Sequence, residues 1–441
     1  MVLVKPNGEE SIMSAAIINR NEKSFTVQVE IPYSNSMLDG EEHLQRGLNE
    51  AGSLGTKEVL SQFNTDGSII EIGGVKLYPH GEREPKEFQS PYGPVVVDRY
   101  VYQSSEGGKR FVPLDQDARI VGTSTPKFAK MVSSKYACDG APGVQRDLHD
   151  NHGRPVALSF IKNVSDLVGT IAIAKEAAWS YKLPEFSKAV QSISVGLDGT
   201  CLNMMEDGWR EAMCGTIAFF DKSGDRLHTI YSAAPPEYGK AKFLEKFGAE
   251  VDNVIELFPN KPIVGLADGA ASNWGFLGER TDILTVDFWH MSEYLAKAAN
   301  AMFPGKSNTQ QRYEWLDRAC HKAKHNFGAI SRILGELKEF ASSKRMRVDN
   351  KKQLNTVITY LTNHKAKMQY HKNIDQNLPI GSGVTEAACK AIVKNRMCKG
   401  AARWKQDGAE VVLTIRSIHM TSERWEQFWG KYSQYGYCKA G

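Results

Sequence analysis

The sequence predicts an α/β protein built on a mixed sheet that a long helical stretch interrupts. Three observations predict it. Between residues 192 and 289 the apolar patterning runs in the order β-β-β-α-β-α-β. Residues 290 to about 377 carry helical spacing and no strand signal. Beyond them a glycine turn, PIGSG, opens one more helix, and that helix is followed by a basic run. Three antiparallel strands followed by strands tied through helical crossovers imply one mixed sheet with helices on its faces.

The elements follow in chain order. Residues 1–90 are mixed, with a strand-like SFTVQVEIPY and a polar helix around HLQRGLNEAG and EVLSQF. Residues 91–114 read as two strands around the turn SSEGGK. From 126 to 185 the spacing becomes helical: PKFAKMVSSKYAC, PGVQRDLHDNHG, a break at HGRP, then a longer helix from ALSF to WSY. A short helix, a glycine break and a second helix outline a helix-turn-helix, an outline that plain helical hairpins share. SISVGLDG (192–199), MCGTIAFF (213–220) and RLHTIYSA (226–233) read as strands, the last two joined by the turn DKSGD. A helix at 239–258 leads to a buried-type strand, PIVGLADG (262–269), then a short helix near SNWGFLGE and a strand, DILTVDFW (282–289).

Composition agrees. The 441 residues exceed one ordinary core and suggest two to four domains. A hydrophobic content of 41% with 24% charged residues describes a soluble globular chain. No apolar run is long enough to span a bilayer, and no signal-peptide start is visible. The seven cysteines are scattered without a C-x-x-C, which points to a reducing compartment and away from a zinc finger. The net charge of +4 hides an asymmetry: from residue 301 onward 25 Lys and Arg face 11 Asp and Glu, a net +14, leaving −10 for residues 1–300. A basic C-terminal third suggests a polyanionic partner, although a solvated helical surface shows the same composition.

Three carboxylates stand out. Asp198 and Asp268 each lie past an apolar strand and precede glycine, and Glu386 lies near the start of the helix that introduces the basic run. If the first and fourth strands are neighbours, Asp198 and Asp268 converge at one end of the sheet, where α/β proteins gather function. Singly, an Asp-Gly at a strand end is most often a turn, and a Glu in a first helical turn favours the helix dipole. Their joint placement is what singles them out. Converging carboxylates repel unless cations neutralise them, and an all-oxygen ligand set selects Mg²⁺ or Mn²⁺. Two such ions suit an in-line phosphoryl displacement.

SVGLDGTCLN followed by DGWRE, VGLADGAASNW, VDFWHMSEYL, and PIGSGVTEAACKAIVKNRMCKGAARW together resemble DDE transposases, nearest to bacterial insertion-sequence enzymes of the IS-Kra type, which share features with mutator-like transposases. The likeness spans about residues 90–420, and the last block is its most specific part. It implies an RNase H-like core with a five-stranded mixed sheet and Asp198, Asp268 and Glu386 as catalytic, metal-binding residues for two Mg²⁺ (or Mn²⁺) ions. The implied layout is a mixed region at 1–120, a helix-turn-helix-like DNA-binding domain at 121–187, the core at 188–290, an all-helical insertion at 291–377, the core's last helix at 378–420 and a tail at 421–441. The implied partners are double-stranded DNA, as terminal inverted repeats and target, and a second copy in a homodimer or larger synaptic assembly. No membrane is implied, and the implied location is cytoplasmic, at a prokaryotic nucleoid. Cys398 departs from the pattern, which expects a basic or polar residue there.

The basic run then reads as a DNA track. Lys390 and Lys394, at helical spacing from Glu386, together with Arg396, Lys399 and Arg403, would neutralise phosphates. Trp404 would stack on a base or anchor the core. Asp287 and His290, three residues apart, would orient a strand-to-helix junction close to the site. His321 and His325, at i and i+4, lack acidic or thiol companions at good spacing and read as a solvated face. Two rivals stand beside the transposase reading: an RNase H-like nuclease or resolvase without strand transfer, and a non-catalytic DNA-binding relative.

Overall fold

The computed structural model describes residues 15–237, 240–343 and 346–436. The chain divides into two units, residues 1–181 with 425–441 and residues 182–424.

In the first unit, β1 (Ala15–Arg20) and β2 (Phe25–Val29) pair antiparallel. The long α1 (Met37–Ser61) starts where the Ser36 hydroxyl accepts the Asp39 N–H. β3 (Ile70–Ile72) and β4 (Val75–Pro79) follow, then a separate hairpin of β5 (Glu84–Gln89) and β6 (Pro94–Arg99). β7 (Tyr102–Ser104) and β8 (Gly107–Phe111) complete a four-stranded sheet of order β3-β4-β7-β8. Residues 91–114 thus hold three strands where the sequence suggests two, because Tyr100 and Val101 break the first run into pieces of different sheets. Phe88, Val95, Val97 and Leu60 pack with Leu114 of α2 (Pro113–Asp117). The helices expected at 126–185 form as α3 (Pro126–Cys138), α4 (Ala141–His152) and α5 (Leu158–Lys175), with Gly153 closing α4 in the left-handed conformation.

The second unit carries the five-stranded sheet. β9 (Ser192–Met204) and β10 (Gly208–Phe220) form a long antiparallel hairpin, continued by β11 (Arg226–Ala234). α6 (Ala241–Leu257) crosses to β12 (Ile263–Ala267), and α7 (Ala271–Gly278) leads to β13 (Ile283–Val286). The order is β11-β10-β9-β12-β13, with β12 parallel to both β9 and β13. The first and fourth strands of this unit are therefore neighbours.

From there the chain is helical through α8 (Phe288–Met302), α9 (Thr309–His325), α10 (Ala329–Ser342), α11 (Val348–His364) and α12 (Tyr370–Asp375). These helices share a core that includes Leu295, Trp315, Leu337, Leu354 and Tyr370. The chain returns to the sheet with α13 (Gly383–Ala388), which runs into a π-helical turn, Cys389–Lys394, and the short α14 (Asn395–Met397). The buried α15 (Gln406–Met420) packs on β11. Neighbouring residues of one strand face opposite sides. A Cβ on Gly215 would meet the Phe247 ring of α6, while the Thr216 hydroxyl hydrogen-bonds Thr385 of α13. So α6 and α13 cover opposite faces of the sheet.

The last helix, α16 (Arg424–Tyr435), is more than a tail. Trp425, Phe428, Trp429 and Tyr432 are buried, and Trp179 meets Phe428 edge-on at 5.6 Å. The sequence reading gave this stretch only as a tail, and neither the helix nor its membership of the first unit was anticipated. Cys438 lies outside the described residues.

Candidate functional site

The register of β9 and β12 places the first two carboxylates. Gly196 and Leu266 are the last paired residues of the parallel ladder. Two residues further along the chain from each stand Asp198 and Asp268. Within β9 a step of two keeps the same face, so Asp198 points to the side covered by α13, and Asp268, one residue past the end of β12, lies near enough for its charge to act on Asp198. Asp198 is not past the end of its strand, as the sequence suggested. It pairs with Cys214 inside a hairpin that continues to Met204, because Thr200, Leu202 and Met204 alternate inward and extend the strand.

Asp198 is half-buried. Burial first, and then the Asp268 charge, push its carboxyl above the usual carboxylate range. The Gly199 N–H, the Cys389 thiol and His290 act in the opposite direction. The Gly199 N–H donates to Oδ1 at 2.7 Å, and the Cys389 thiol lies 3.6 Å from Oδ2. That thiol is itself held well above the ordinary range by its hydrogen bond with Cys214 and then by burial, so it stays protonated and donates.

Asp268 is followed by Gly269 at φ +127°, a conformation few side-chain-bearing residues adopt. A Cβ there would sit 3.2 Å from Tyr360 and 3.3 Å from His364. The glycine thus lets α11 close in on the acid, and the Tyr360 hydroxyl donates to the Asp268 carbonyl at 2.9 Å.

Glu386 lies in the first turn of α13, three residues before Cys389, so its helix is the one that touches Asp198. The close approach depends on Gly196, where a Cβ would lie 2.0 Å from Thr385 Oγ1. Glu386 is exposed, and its carboxylate accepts from the Ser382 hydroxyl at 3.2 Å, turned back toward the start of its own helix.

Asp287 meets His290 through the backbone N–H of that residue, not through its ring. Asp287 caps α8 by accepting the His290 N–H at 2.6 Å, and it also accepts the Ser382 N–H. One buried carboxylate therefore joins the start of α8 to the loop that launches α13. The His290 ring is near enough to Asp198 to favour its charged form.

The structure brings Asp198 and Asp268 together and sets Glu386 on the adjoining helix. It does not gather the three to ligating distance: among the described residues no group of three or more His, Cys, Asp or Glu side chains is arranged to hold a metal ion. The donor set nevertheless suits a hard divalent cation. All three are carboxylates, none forms an ion pair among the described residues, and two repel each other. Rotation of the Glu386 side chain away from Ser382 costs one weak, exposed hydrogen bond. His321 and His325 are exposed on α9, their rings 4.8 Å apart, with no metal-ligating companions among the described residues.

The basic run divides. Lys390, Lys394, Lys399 and Arg403 are exposed, and none pairs with a carboxylate among the described residues. Arg396 is only 7% exposed and its guanidinium lies over the Trp404 ring, 5.4 Å from the centroid, so it braces the interior and is not presented to a phosphate. Trp404 is an anchor: its indole N–H donates to the Met397 carbonyl at 2.8 Å and its backbone pairs with Asn203 and Met205 at the end of β9. Cys398 touches the Cys201 carbonyl at 3.7 Å, a packing position. The π-helical turn also rotates the residues beyond Cys389 away from strict α-helical spacing, a feature the sequence reading missed.

The chain matches no protein-family model and no curated protein. Among the described residues no helix is long and apolar enough to cross a membrane.

Proposed function

We propose that this protein is a DNA transposase of the DDE type, with an RNase H-like core, that binds the inverted-repeat ends of an insertion sequence, cuts them and joins them to target DNA. One observation carries the reading. Asp198 on β9 and Asp268 just past the end of the neighbouring parallel strand β12 lie within reach of each other's charge, and the helix bearing Glu386 is packed on the face that Asp198 occupies. The sheet order, third-second-first-fourth-fifth with an antiparallel second strand, supports the RNase H-like assignment.

Asp198, Asp268 and Glu386 would hold Mg²⁺ or Mn²⁺, two ions by the proposed chemistry. A divalent ion bound there supplies a more acidic water and a counter-charge for the scissile phosphate. The chain's own groups do the rest. Buried Asp287 fixes the loop before Glu386, and the Cys389 thiol orients the Asp198 carboxylate. Lys390, Lys394, Lys399 and Arg403 would neutralise phosphates on either side of the cut. The α3–α4–α5 helices are the proposed reader of the terminal repeats, as a helix-turn-helix-like element. A dimer or larger assembly follows from the need to hold two ends.

The test is magnesium-dependent nicking and joining of DNA that carries the ends of the element. Wild type cuts and joins. Asp198→Asn, Asp268→Asn and Glu386→Gln each lose cleavage and keep DNA binding. Cutting without joining would leave a nuclease of the same core. A second reading rests on the carboxylates not being gathered: the chain binds DNA without cutting it. Nicking by the wild type would exclude that reading.

A further inference from the structure

We infer that a groove along α11 seats the phosphodiester backbone of DNA on its way to the carboxylates. The groove, of about 710 Å³, is lined by Lys351, Lys352, Asn355, Thr356, Thr359 and Asn363 together with Val348, Tyr294, Tyr360 and His364. Residues 352, 356, 359 and 363 fall at helical spacing, so they form one stripe. All four are exposed. Among the described residues no acidic side chain lines the groove. Ammonium, hydroxyl and carboxamide groups are the side chains that contact phosphate and sugar.

The floor is rigid. The Tyr294 and Tyr360 rings stack at 3.7 Å with only 2° between their planes, and Lys297 covers the outer ring at 4.3 Å. Direction comes from the far end, where Tyr360 bonds the Asp268 carbonyl and His364 flanks Gly269. From Lys352 to Asn363 the helix rises about 16 Å, the axial length of roughly five nucleotides of one B-form strand. A strand lying in the stripe would arrive at Asp268.

The inference rests on the reading of the chain as a DNA-processing enzyme. The test compares wild type with the double variant Lys351→Glu/Lys352→Glu, both confirmed folded by circular dichroism, using fluorescence anisotropy of a labelled DNA duplex from about 50 to 200 mM salt. The variant is expected to bind at least tenfold more weakly, with a salt slope shallower by about two. Lys351→Ala/Lys352→Ala is expected to fall between. Wild-type affinity and slope in both variants would overturn the groove assignment. Should the same variants lose binding to RNA and not to DNA, the groove belongs to RNA and the inference falls. If the wild type binds no DNA, the functional reading falls and takes the groove with it; if it cuts DNA while the reversed variant binds as tightly, only the groove falls.

Discussion

The Cys389 thiol lies 3.6 Å from Asp198 Oδ2. This contact ties the helix of Glu386 to the strand of Asp198 across 191 residues of sequence. Among the described residues it is also the one polar contact by which the π-helical turn steers a candidate metal ligand. Cys389→Ala should cost about 1–3 kcal/mol of stability, the value of the two hydrogen bonds that it makes to Asp198 and Cys214. It should slow DNA cleavage roughly tenfold, as expected when the partner of a metal ligand is lost. Cys389→Ser should restore most of the rate. Urea melts and single-turnover cleavage read the two effects separately.

Gly196 is the point at which α13 reaches the sheet. Gly196→Ala places a methyl group on Thr385 Oγ1 and should destabilise the protein by about 1–3 kcal/mol, the usual cost of overpacking. Adding Thr385→Ser, which removes a methyl and leaves the hydroxyl for Thr216, should recover only part of this. Denaturant midpoints at constant m-value check it.

Asp287 serves two N–H groups from two elements. Asp287→Ala leaves both without a partner in a buried place and should cost about 2–3 kcal/mol. Asp287→Asn, which keeps an acceptor oxygen, should cost less. If the two variants melt alike, the carboxylate is not the joint between α8 and α13.

His228 sets a pH dependence. It is buried among Phe186 and Phe219, and burial, with Arg424 beside it, pulls its folded-state value down to about 4. The unfolded chain therefore takes up this proton first. Stability from His228 is complete above its ordinary value near 6.5 and is lost as pH falls from there toward 4, by about 3 kcal/mol. His228→Phe should flatten that part of the stability curve relative to wild type, measured as Tm against pH.

Much of this was readable in the chain. The alternation in SISVGLDG and the apolar PIVGLADG gave β9 and β12, and helical spacing gave the helices of 290–377. Asp198 and Asp268 were legible because an acid after an apolar strand interrupts its pattern. Register was not legible: no local signal states that Gly196 pairs with Leu266, the pairing that brings the two acids near each other. The π-helical turn was hidden for a similar reason, since CKAIVK has ordinary helical composition and only packing on β9 and β10 selects the wider turn. Arg396 looked like its neighbours in a basic run, and only the fold turns it inward onto Trp404. The approach of Tyr360 to Asp268 was not legible either, because it joins residues 92 apart in the chain.

The most direct measurement is calorimetric titration of Mn²⁺ into the wild-type protein and into Asp198→Asn, Asp268→Asn and Glu386→Gln. The wild type should bind, and each substitution should weaken binding by more than about tenfold, because losing a ligand costs at least as much as losing its supporting partner. Unchanged binding in any one of the three, or none in the wild type, would contradict the shared carboxylate site.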